Sequence, residues 1–450
     1  MLNNILRWLG LSYQDAVKEN THIPVVIPLA KHRISRSNIS KHALKVLYRL
    51  RDAGYQAYLV GGGVRDVLLE RHPKDFDVAT NARPDQVQKL FQNCRLIGRR
   101  FRLAHVHFGS HIVEVATFRA SISTSSEETN PHLVHSEAGM ILRDNIYGTL
   151  EDDVFRRDFT INALYYNISD FTLIDYVGGL KDLETSCIRM IGDAKQRYRE
   201  DPVRMLRAIR FAAKLDFYIA SDTEQPIFEL GYLVKQVPSA RLLDEFMKLF
   251  LSGYAENSFQ LLRHYKLFSI LFPQTEECLN SSQNVQVEHF IKGALADTDK
   301  RVFEHKPVAL PFLLAAFLWY PLQAQAESLK KEGMTELAAF YEACDLALNQ
   351  QQRNVAISRR LIQGIREIWI LQIRLTKRSG KRPLQLCVHP KFRAAYDFLL
   401  LRATAEGQIV QDLAHWWQEY ITGDDTAKAQ MLKVLKKDGP RYRRRPKKRL

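Results

Sequence analysis

At 450 residues the chain is long enough for about three domains of ~150 residues each, so a peptide-sized or core-poor protein is excluded. With 46% apolar and 26% charged residues, and only 21 Gly and 16 Pro, the composition is that of a folded chain rather than a disordered or collagen-like one. The formal charge of +15 points to a polyanionic partner, nucleic acid or an acidic membrane surface, although part of the excess lies in the terminal run GPRYRRRPKKRL.

Along the chain, residues 1–37 read as an N-terminal extension whose Ile-Pro-Val-Val-Ile-Pro run is an extended linker. Its first eleven residues suit either a weak amphipathic helix in peripheral contact with a membrane or a frayed terminal helix. No stretch of ~18 apolar residues and no signal-peptide pattern occurs, and this predicts a cytoplasmic protein without a transmembrane segment. The segment ISKHALKVLYRL (39–50) has apolar residues at helical spacing and is ended by Gly54. Strands are predicted at YQAYLVGG (55–62), 75–79, 105–108, 112–118 and 171–176, alternating with helices. The Ser/Thr/Glu-rich stretch 119–149 reads as a loop. From Arg197 onward helical periodicity dominates. The expected architecture is α+β: a small mixed β-sheet with helices at 38–180, then an all-helical neck (181–250), body (251–430) and a basic tail (431–450) that carries no packed structure. Five cysteines (Cys94, Cys187, Cys278, Cys344 and Cys387) form no Cys-x-x-Cys pair and are odd in number, which favours a reducing compartment over disulfides or a Cys zinc site.

The chemistry concentrates in YLVGGGVRDVLLERHPKDFDVAT. Gly61, Gly62 and Gly63 follow a strand and open a helix, where missing Cβ atoms let backbone N–H groups approach phosphate oxygens; a simple tight turn is the alternative. Asp75 and Asp77, at i and i+2 of the expected strand, face one side about 7 Å apart. Like charges so placed repel unless a hard cation such as Mg2+ intervenes, and two such ions would activate a hydroxyl and clamp a triphosphate. The other reading makes Asp75 a turn cap after Pro73 and pairs Asp77 with a nearby base. Glu114, in the apolar strand HIVEVATFR, is either a third metal-site carboxylate or half of a buried ion pair with Arg119 or another base. His105, His107 and His111 read as ordinary strand histidines rather than a metal site.

Taken in order, GGGVRD, PKDFD, VEVATFR, RRDFTINAL (156–164) and REDPVRMLRAIRFAAKL (199–215) resemble the motifs of class II nucleotidyltransferases, the bacterial poly(A) polymerases and CCA-adding enzymes. The resemblance covers about residues 38–220. It implies a nucleotidyltransferase head, a neck that reads the base, and a helical body and tail that hold RNA. It assigns the catalytic carboxylates to Asp75, Asp77 and Asp158, metal binding to Asp75, Asp77 and Glu114, and Mg2+, two ions, as cofactor. Asp158 also reads as the N-cap of a helix starting near Thr160. ATP contacts are expected from Gly61, Gly62, Gly63, Arg65, Arg157 and Asn162, with Arg156 beside them. Glu200, Asp201 and Arg204 match the family's base-reading triplet; a carboxylate accepting from adenine N6 and a guanidinium donating to N1 would read the Watson–Crick edge. Asp201 also suits a helix cap before Pro202.

Within the family, RLIGRRFRLAHVHFG (95–109) and the basic C-terminal region resemble the poly(A) polymerase branch. RNA contacts are expected from Arg374, Lys377, Arg378, Lys381 and Arg382, set among the aromatics Phe392 and Tyr396, and from Arg443, Arg444 and Arg445; a solvated charged face is the alternative for 371–403. The resemblance therefore implies template-independent addition of AMP from ATP to RNA 3′ ends, with RNA-decay proteins as candidate partners. The rivals are a CCA-adding tRNA nucleotidyltransferase and a catalytically silent RNA-binding adaptor of the same fold.

Overall fold

The computed structural model describes residues 23–98, 102–120, 133–135, 141–144, 146–282 and 284–438. Arg99, Arg100, most of the 119–149 stretch, the first eleven residues and the tail arginines Arg443, Arg444 and Arg445 lie outside the described residues. The strands are β1 (Val25–Ile27), β2 (Ala57–Val60), β3 (Asp77–Thr80), β4 (Cys94–Ile97), β5 (Leu103–Phe108), β6 (His111–Thr117), β7 (Leu133–His135), β8 (Ile141–Asp144), β9 (Leu164–Asn167), β10 (Leu173–Asp175), β11 (Cys187–Ile188) and β12 (Tyr218–Ile219). Eight of them form one mixed sheet in the order β1-β10-β9-β2-β3-β6-β5-β4, in which only β3 and β6 pair in parallel. The α+β head expected from sequence is present.

Local chemistry explains the elements. Helix α1 (Lys41–Asp52) starts where the Ser40 hydroxyl accepts from the Ala43 N–H at 3.1 Å, buries Ala43, Val46, Leu47 and Leu50 at helical spacing, and gives way to Gly54 at φ +84°. The central strand β2 is buried at all four positions because β9 and β3 flank it and α1 packs on it. On the opposite face Tyr58, Val60, Ala79, Phe118, Val154, Ala163, Tyr165, Ile174 and Ile191 form one apolar cluster.

Three differences from the expected elements have physical causes. The Ile-Pro-Val-Val-Ile-Pro segment is not only a linker: Val25–Ile27 adds to the sheet edge by pairing with β10, and prolines at both ends are tolerated there because an edge strand needs only one row of hydrogen bonds. Strands β4, β7, β8, β9, β11 and β12 were not expected, since stretches of two to four residues carry little periodicity of their own and are stabilised by the neighbours they pair with: β7 pairs with β8 inside the stretch read as a loop, and β11 with β12 in the neck read as all-helical, so both readings are corrected. The strand expected from 75 begins at Asp77, because Asp75 and Phe76 pack against Gly63 at the start of the helix Gly62–Leu68 instead of joining the ladder.

By internal contacts the described chain divides into two units, one of residues up to Arg204 with Leu215–Leu230, the other of Met205–Lys214 with Gly231 onward. The second unit is helical. Its aromatic centre includes Phe246, Phe250, Phe259, Phe268, Phe272 and Phe317, and a further cluster packs Leu375, Phe392, Tyr396, Leu413 and Trp417 together, where the Trp417 indole N–H donates to the Leu375 carbonyl at 2.9 Å. Among the described residues no helix is long and apolar enough to cross a membrane, and all five cysteines are free thiols.

Buried Asp175 ties β10 to the next helix by accepting from the N–H groups of Val177, Gly178, Gly179 and Leu180. Gly179 in turn lies so close to the Thr160 carbonyl that a Cβ there would overlap its oxygen. Gly179→Ala should therefore destabilise the first unit by about 2 kcal/mol or more, a fall of roughly 4–8 °C in its melting transition by calorimetry.

Candidate active site

Asp77 is the first residue of β3, and its neighbours set its chemistry. It pairs with Val60 at the end of β2 and, across the parallel pair, with Glu114 on β6. Just beyond Val60 the chain turns at Gly61, φ +75° and ψ −141°, a conformation that favours glycine. A Cβ on Gly61 would lie 3.5 Å from an Asp77 carboxylate oxygen and 3.7 Å from an Arg157 guanidinium nitrogen, so the turn, the acid and the base are neighbours. Gly63, in helix α2 (Gly62–Leu68), has a different task. A Cβ there would meet Phe76 at 3.0 Å and the Asp75 carbonyl at 3.2 Å, so its absence lets the segment bearing Asp75 seat against the helix.

Burial, then the Glu114 charge, pushes the Asp77 carboxyl up to about 6; Asp75 adds to this and Arg157 opposes it. Asp75 itself is exposed. Glu114 is also exposed, which corrects the alternative of a buried pair with Arg119: its carboxylate meets His105 Nε2 at 3.3 Å, directly across the β5–β6 ladder. Among the described residues no three His, Cys, Asp or Glu side chains form a ready-made metal cluster. The donor set nonetheless suits a hard divalent cation, since repulsion among carboxylates is what such an ion relieves when further oxygen ligands come from a phosphate.

The RRDF segment lies inside the fold. Arg157, following helix α3 (Leu150–Arg156), donates through Nε to the Tyr165 hydroxyl at 2.6 Å and through Nη2 to Asp153 at 3.1 Å, while the Tyr165 hydroxyl donates to Asp153 at 2.6 Å. Burial works against the Arg157 charge, but Tyr165 and Asp153 outweigh it and raise its pKa. Asp158, 9% exposed, accepts from the Phe159 N–H at 2.8 Å and from the Asn162 amide at 3.3 Å. Thr160–Asn162 is a 3-10 turn preceded by Phe159, with no side-chain cap, so the expectation that Asp158 N-caps a helix is corrected. A second correction concerns Arg65: only 2% exposed, it is engaged with Asp66 at 2.6 and 2.8 Å and with the Asn162 side-chain oxygen at 2.6 Å. Arg65 and Asn162, the latter 6% exposed, thus form a buried chain that holds Asp158 rather than an open surface for phosphates.

Above this chain stand the residues of REDPVR. Asp201 lies between helices α4 (Ala194–Glu200) and α5 (Val203–Leu215), and its carboxylate accepts from the Val203 N–H at 3.3 Å, as a cap would. Arg204 donates to the Arg157 carbonyl at 3.5 Å. Burial, then Arg197, pushes the Arg204 guanidinium down to about 10; burial, then Arg119, Arg197 and Arg204, pushes Arg156 down to about 9. Arg119, Arg156, Arg157, Arg197 and Arg204 therefore crowd one another, and such crowding of cations suits a polyphosphate. Arg197, Asp153 and Tyr165 were missed from sequence. The available signals were the i,i+4 spacing of Asp153 and Arg157, which pair at 3.1 Å, and the i,i+3 spacing of Arg197 and Glu200, which pair at 2.8 Å.

In the second unit Arg374, Lys377, Lys381 and Arg382 are exposed around the end of the helix Arg359–Leu375. Phe392 and Tyr396 do not interleave with them at the surface: they are 9% and 7% exposed and pack in the core, because i and i+4 share the inner face of their helix. Arg378 lies instead over the partly exposed ring of Trp416, 5.3 Å from its centroid.

The Asp77 carboxyl titrates higher in the folded chain than its ordinary 3.8, so its ionised form costs stability at pH values above about 6, and that cost vanishes as the pH falls below about 4. Without divalent cations, Asp77→Asn should raise the first unit's stability at pH 8 by about 2 kcal/mol and leave it unchanged near pH 4, as read from paired thermal melts.

Comparison with known proteins agrees along the chain. Residues 57–189 match the family model for the "Poly A polymerase head domain", 216–279 the "Probable RNA and SrmB- binding site of polymerase A", and 332–449 the "Polymerase A arginine-rich C-terminus". The chain is 50% identical over 428 residues to "Poly(A) polymerase I" of Salmonella typhimurium, covering 94% of this chain and 92% of that protein. Similarity to the "CCA-adding enzyme" of Lactobacillus helveticus is 36% over 219 residues, 49% of this chain and 52% of that one. A tRNA nucleotidyltransferase solved with a primer tRNA and an ATP analogue shares the fold, with a TM-score of 0.55 at 22% identity over 86% of this chain and 99% of that one. Likeness to the CCA-adding enzyme in sequence spans only 49% of the chain, whereas likeness to the poly(A) polymerase spans 94% of it and the arginine-rich C-terminal model also matches, and the chain belongs to the bacterial poly(A) polymerase family.

Proposed function

We propose that the chain adds AMP from ATP to RNA 3′ ends without a template, and that it does so in the cytoplasm. The observation that carries this is the packing of the Asp77 carboxyl, held up to about 6, against the Gly61 turn and Arg157. The domain reading retained is a head at 38–180, a neck at 181–250, a body at 251–430 and a tail at 431–450, after an extension at 1–37; the helix Asp425–Asp438 runs into the tail and packs Met431 and Leu432 against the cluster around Trp417, so the expectation of no packed structure from 431 onward is corrected.

The reaction forms a bond between the RNA 3′ oxygen and the α-phosphorus of ATP and breaks the bond to pyrophosphate. Asp75, Asp77 and Glu114 would hold Mg2+, two ions on this reading, which when bound favours ionisation of the attacking hydroxyl and neutralises triphosphate charge. The protein's own part is positioning and charge. Arg157, fixed by Tyr165 and Asp153, keeps a permanent cation beside the Gly61–Gly63 turn. Asp158, held by Asn162 and Arg65, sits beneath the arginines and is part of the charge felt by Arg204. Asp201 would accept from the adenine amino group and Arg204 donate to N1, with Glu200 alongside. Exposed Arg374, Lys377, Lys381 and Arg382 would hold RNA phosphates, and Arg378 acts with Trp416 beside them.

The direct test incubates the purified protein with an unstructured RNA, Mg2+ and each nucleotide separately. Long products with ATP alone are expected; strong CTP use that stops after three additions on a tRNA lacking its terminus would overturn the reading. Asp77→Asn should reduce ATP addition by far more than tenfold, beyond the ~1.4 kcal/mol that tenfold represents, while RNA affinity is kept. For the body, Lys377→Ala with Lys381→Ala should flatten the log–log salt dependence of single-stranded RNA binding by roughly 0.7 per contact, about 1.4 in all, with turnover at saturating RNA unchanged.

A further inference from the structure

We infer that the basic stripe Lys41, Lys45 and Arg49 on helix α1, together with the tip of the β5–β6 hairpin, is a docking surface on the head for single-stranded RNA upstream of the reacting 3′ end. The inference rests on the placement of that end at Asp77 given above.

Strand alternation builds the surface. Along β6, Ile112 and Glu114 point to one face of the sheet, and His107 and His105 stand opposite them on β5. His111, Val113 and Val115 point to the other face, where Val113 and Val115 are buried and α1 packs. Helix α1 runs into Gly54 and then into β2, whose far end is the Gly61 turn, so α1 runs against β2 and starts at the end of the sheet that carries Asp77. Ring contacts agree with this direction: His42 stacks on Phe108 with centroids 4.7 Å apart and lies 5.1 Å from the ring of His111. His111 is three residues before Glu114, the partner of Asp77, so the hairpin tip stands about 10 Å beyond the carboxylates. A strand leaving Asp77 past Ile112 and His107 therefore meets the first turn of α1 once it crosses that tip.

Lys41, Lys45 and Arg49 continue the path. All three are exposed, and they recur every four residues with a rise of about 6 Å per step, comparable to the spacing of successive phosphates in an extended strand. Lys45 lies over the Phe108 ring at 5.8 Å from its centroid and Arg49 over the Phe91 ring at 5.4 Å, so two of the charges are held in place by ring faces that do not cancel them. None of the three has a carboxylate partner among the described residues. Neighbouring cations differ, since Arg51 pairs with Asp52 at 2.7 Å and Arg33 pairs with Glu70. Like charges four residues apart repel and weaken a helix, so stability does not explain the stripe. Its spacing and sign suit a flexible polyanion, and RNA is the polyanion that the reaction itself extends.

The test compares full-length wild type with the triple variant Lys41→Ala, Lys45→Ala, Arg49→Ala, whose exposed alanines keep the helix, as a thermal melt verifies. Affinity and KM are measured for unstructured RNAs of about 4 and about 16 nucleotides, which bracket the usual single-strand site sizes. The expected loss is confined to the longer RNA: KM rises about tenfold or more, and the log–log salt slope falls by about 2, from roughly 0.7 for each of three contacts. In the wild type, a photoreactive base a few nucleotides from the 3′ end should crosslink within 41–49 or 105–112. If the triple variant melts early, Lys41→Ala with Lys45→Ala carries the same test, with a slope change of about 1.4. An equal loss for both lengths means net charge alone, and unchanged binding of the longer RNA leaves the stripe to an acidic protein surface; either result overturns the inference, as do crosslinks confined to 359–450. Asp77→Asn separates this inference from the reading beneath it. Addition lost in Asp77→Asn beside an unaltered length dependence in the triple variant overturns the stripe alone, whereas addition within about tenfold of wild type in Asp77→Asn overturns the placement of the 3′ end and the path with it.

Discussion

The Asp77 carboxylate, held partly out of water and opposite Glu114 on the next strand, is the constraint around which the head is arranged. The parallel pairing of β3 with β6 makes that opposition unavoidable, because register places the two residues side by side. Neighbouring features moderate it. The Gly61 turn leaves room for Asp77 and Arg157 to approach, so a fixed cation offsets part of the repulsion. Glu114 turns its carboxylate toward His105 on the following strand. What remains is a net demand for positive charge at one end of the sheet, of the kind a hard divalent cation relieves.

The arginines pose the opposite problem. Arg119, Arg156 and Arg204 all titrate lower than an ordinary guanidinium, with burial first among the causes. Arg157 escapes that fate because Tyr165 and Asp153 share its charge in a closed set of hydrogen bonds. A fold that gathers cations with incomplete compensation is poised for an anion, and the head thereby holds both an acidic and a basic group of side chains. Catalysis of phosphoryl transfer needs little more of a protein than this division and the rigidity to maintain it.

In the helical unit the same side-chain types take different roles by position. Phe392 and Tyr396 fill the core around Trp417, whereas Trp416, one residue earlier and so turned about 100° around its helix, reaches the surface and meets Arg378. Arg374, Lys377, Lys381 and Arg382 in the same unit are exposed to solvent and counterions, the kind of surface on which the phosphates of a polyanion displace counterions.

Much of this was legible in the amino acids alone. The order GGGVRD, PKDFD, VEVATFR, RRDFT and REDPVR identified the family, because motif order survives in a linear string, and helical periodicity carried the α+β head and the helical remainder. The motifs that carry Asp77, Asp158, Asp201 and Arg204 were legible because they are local. The sequence could not say which polar residues face a ligand and which face one another: Arg65 and Asn162 are 97 positions apart yet hydrogen-bond at 2.6 Å beneath the surface, and Arg197 reaches carbonyls 40 and 41 positions upstream. Nor could it show that Gly63 serves the approach of Asp75, or that Glu114 pairs with His105 instead of Arg119. Motif order and local pattern determined the family and the fold class, since both survive in a linear string. Only the tertiary structure decided which charges are buried and which residues pair, because burial and pairing are set by distances between segments far apart in the chain.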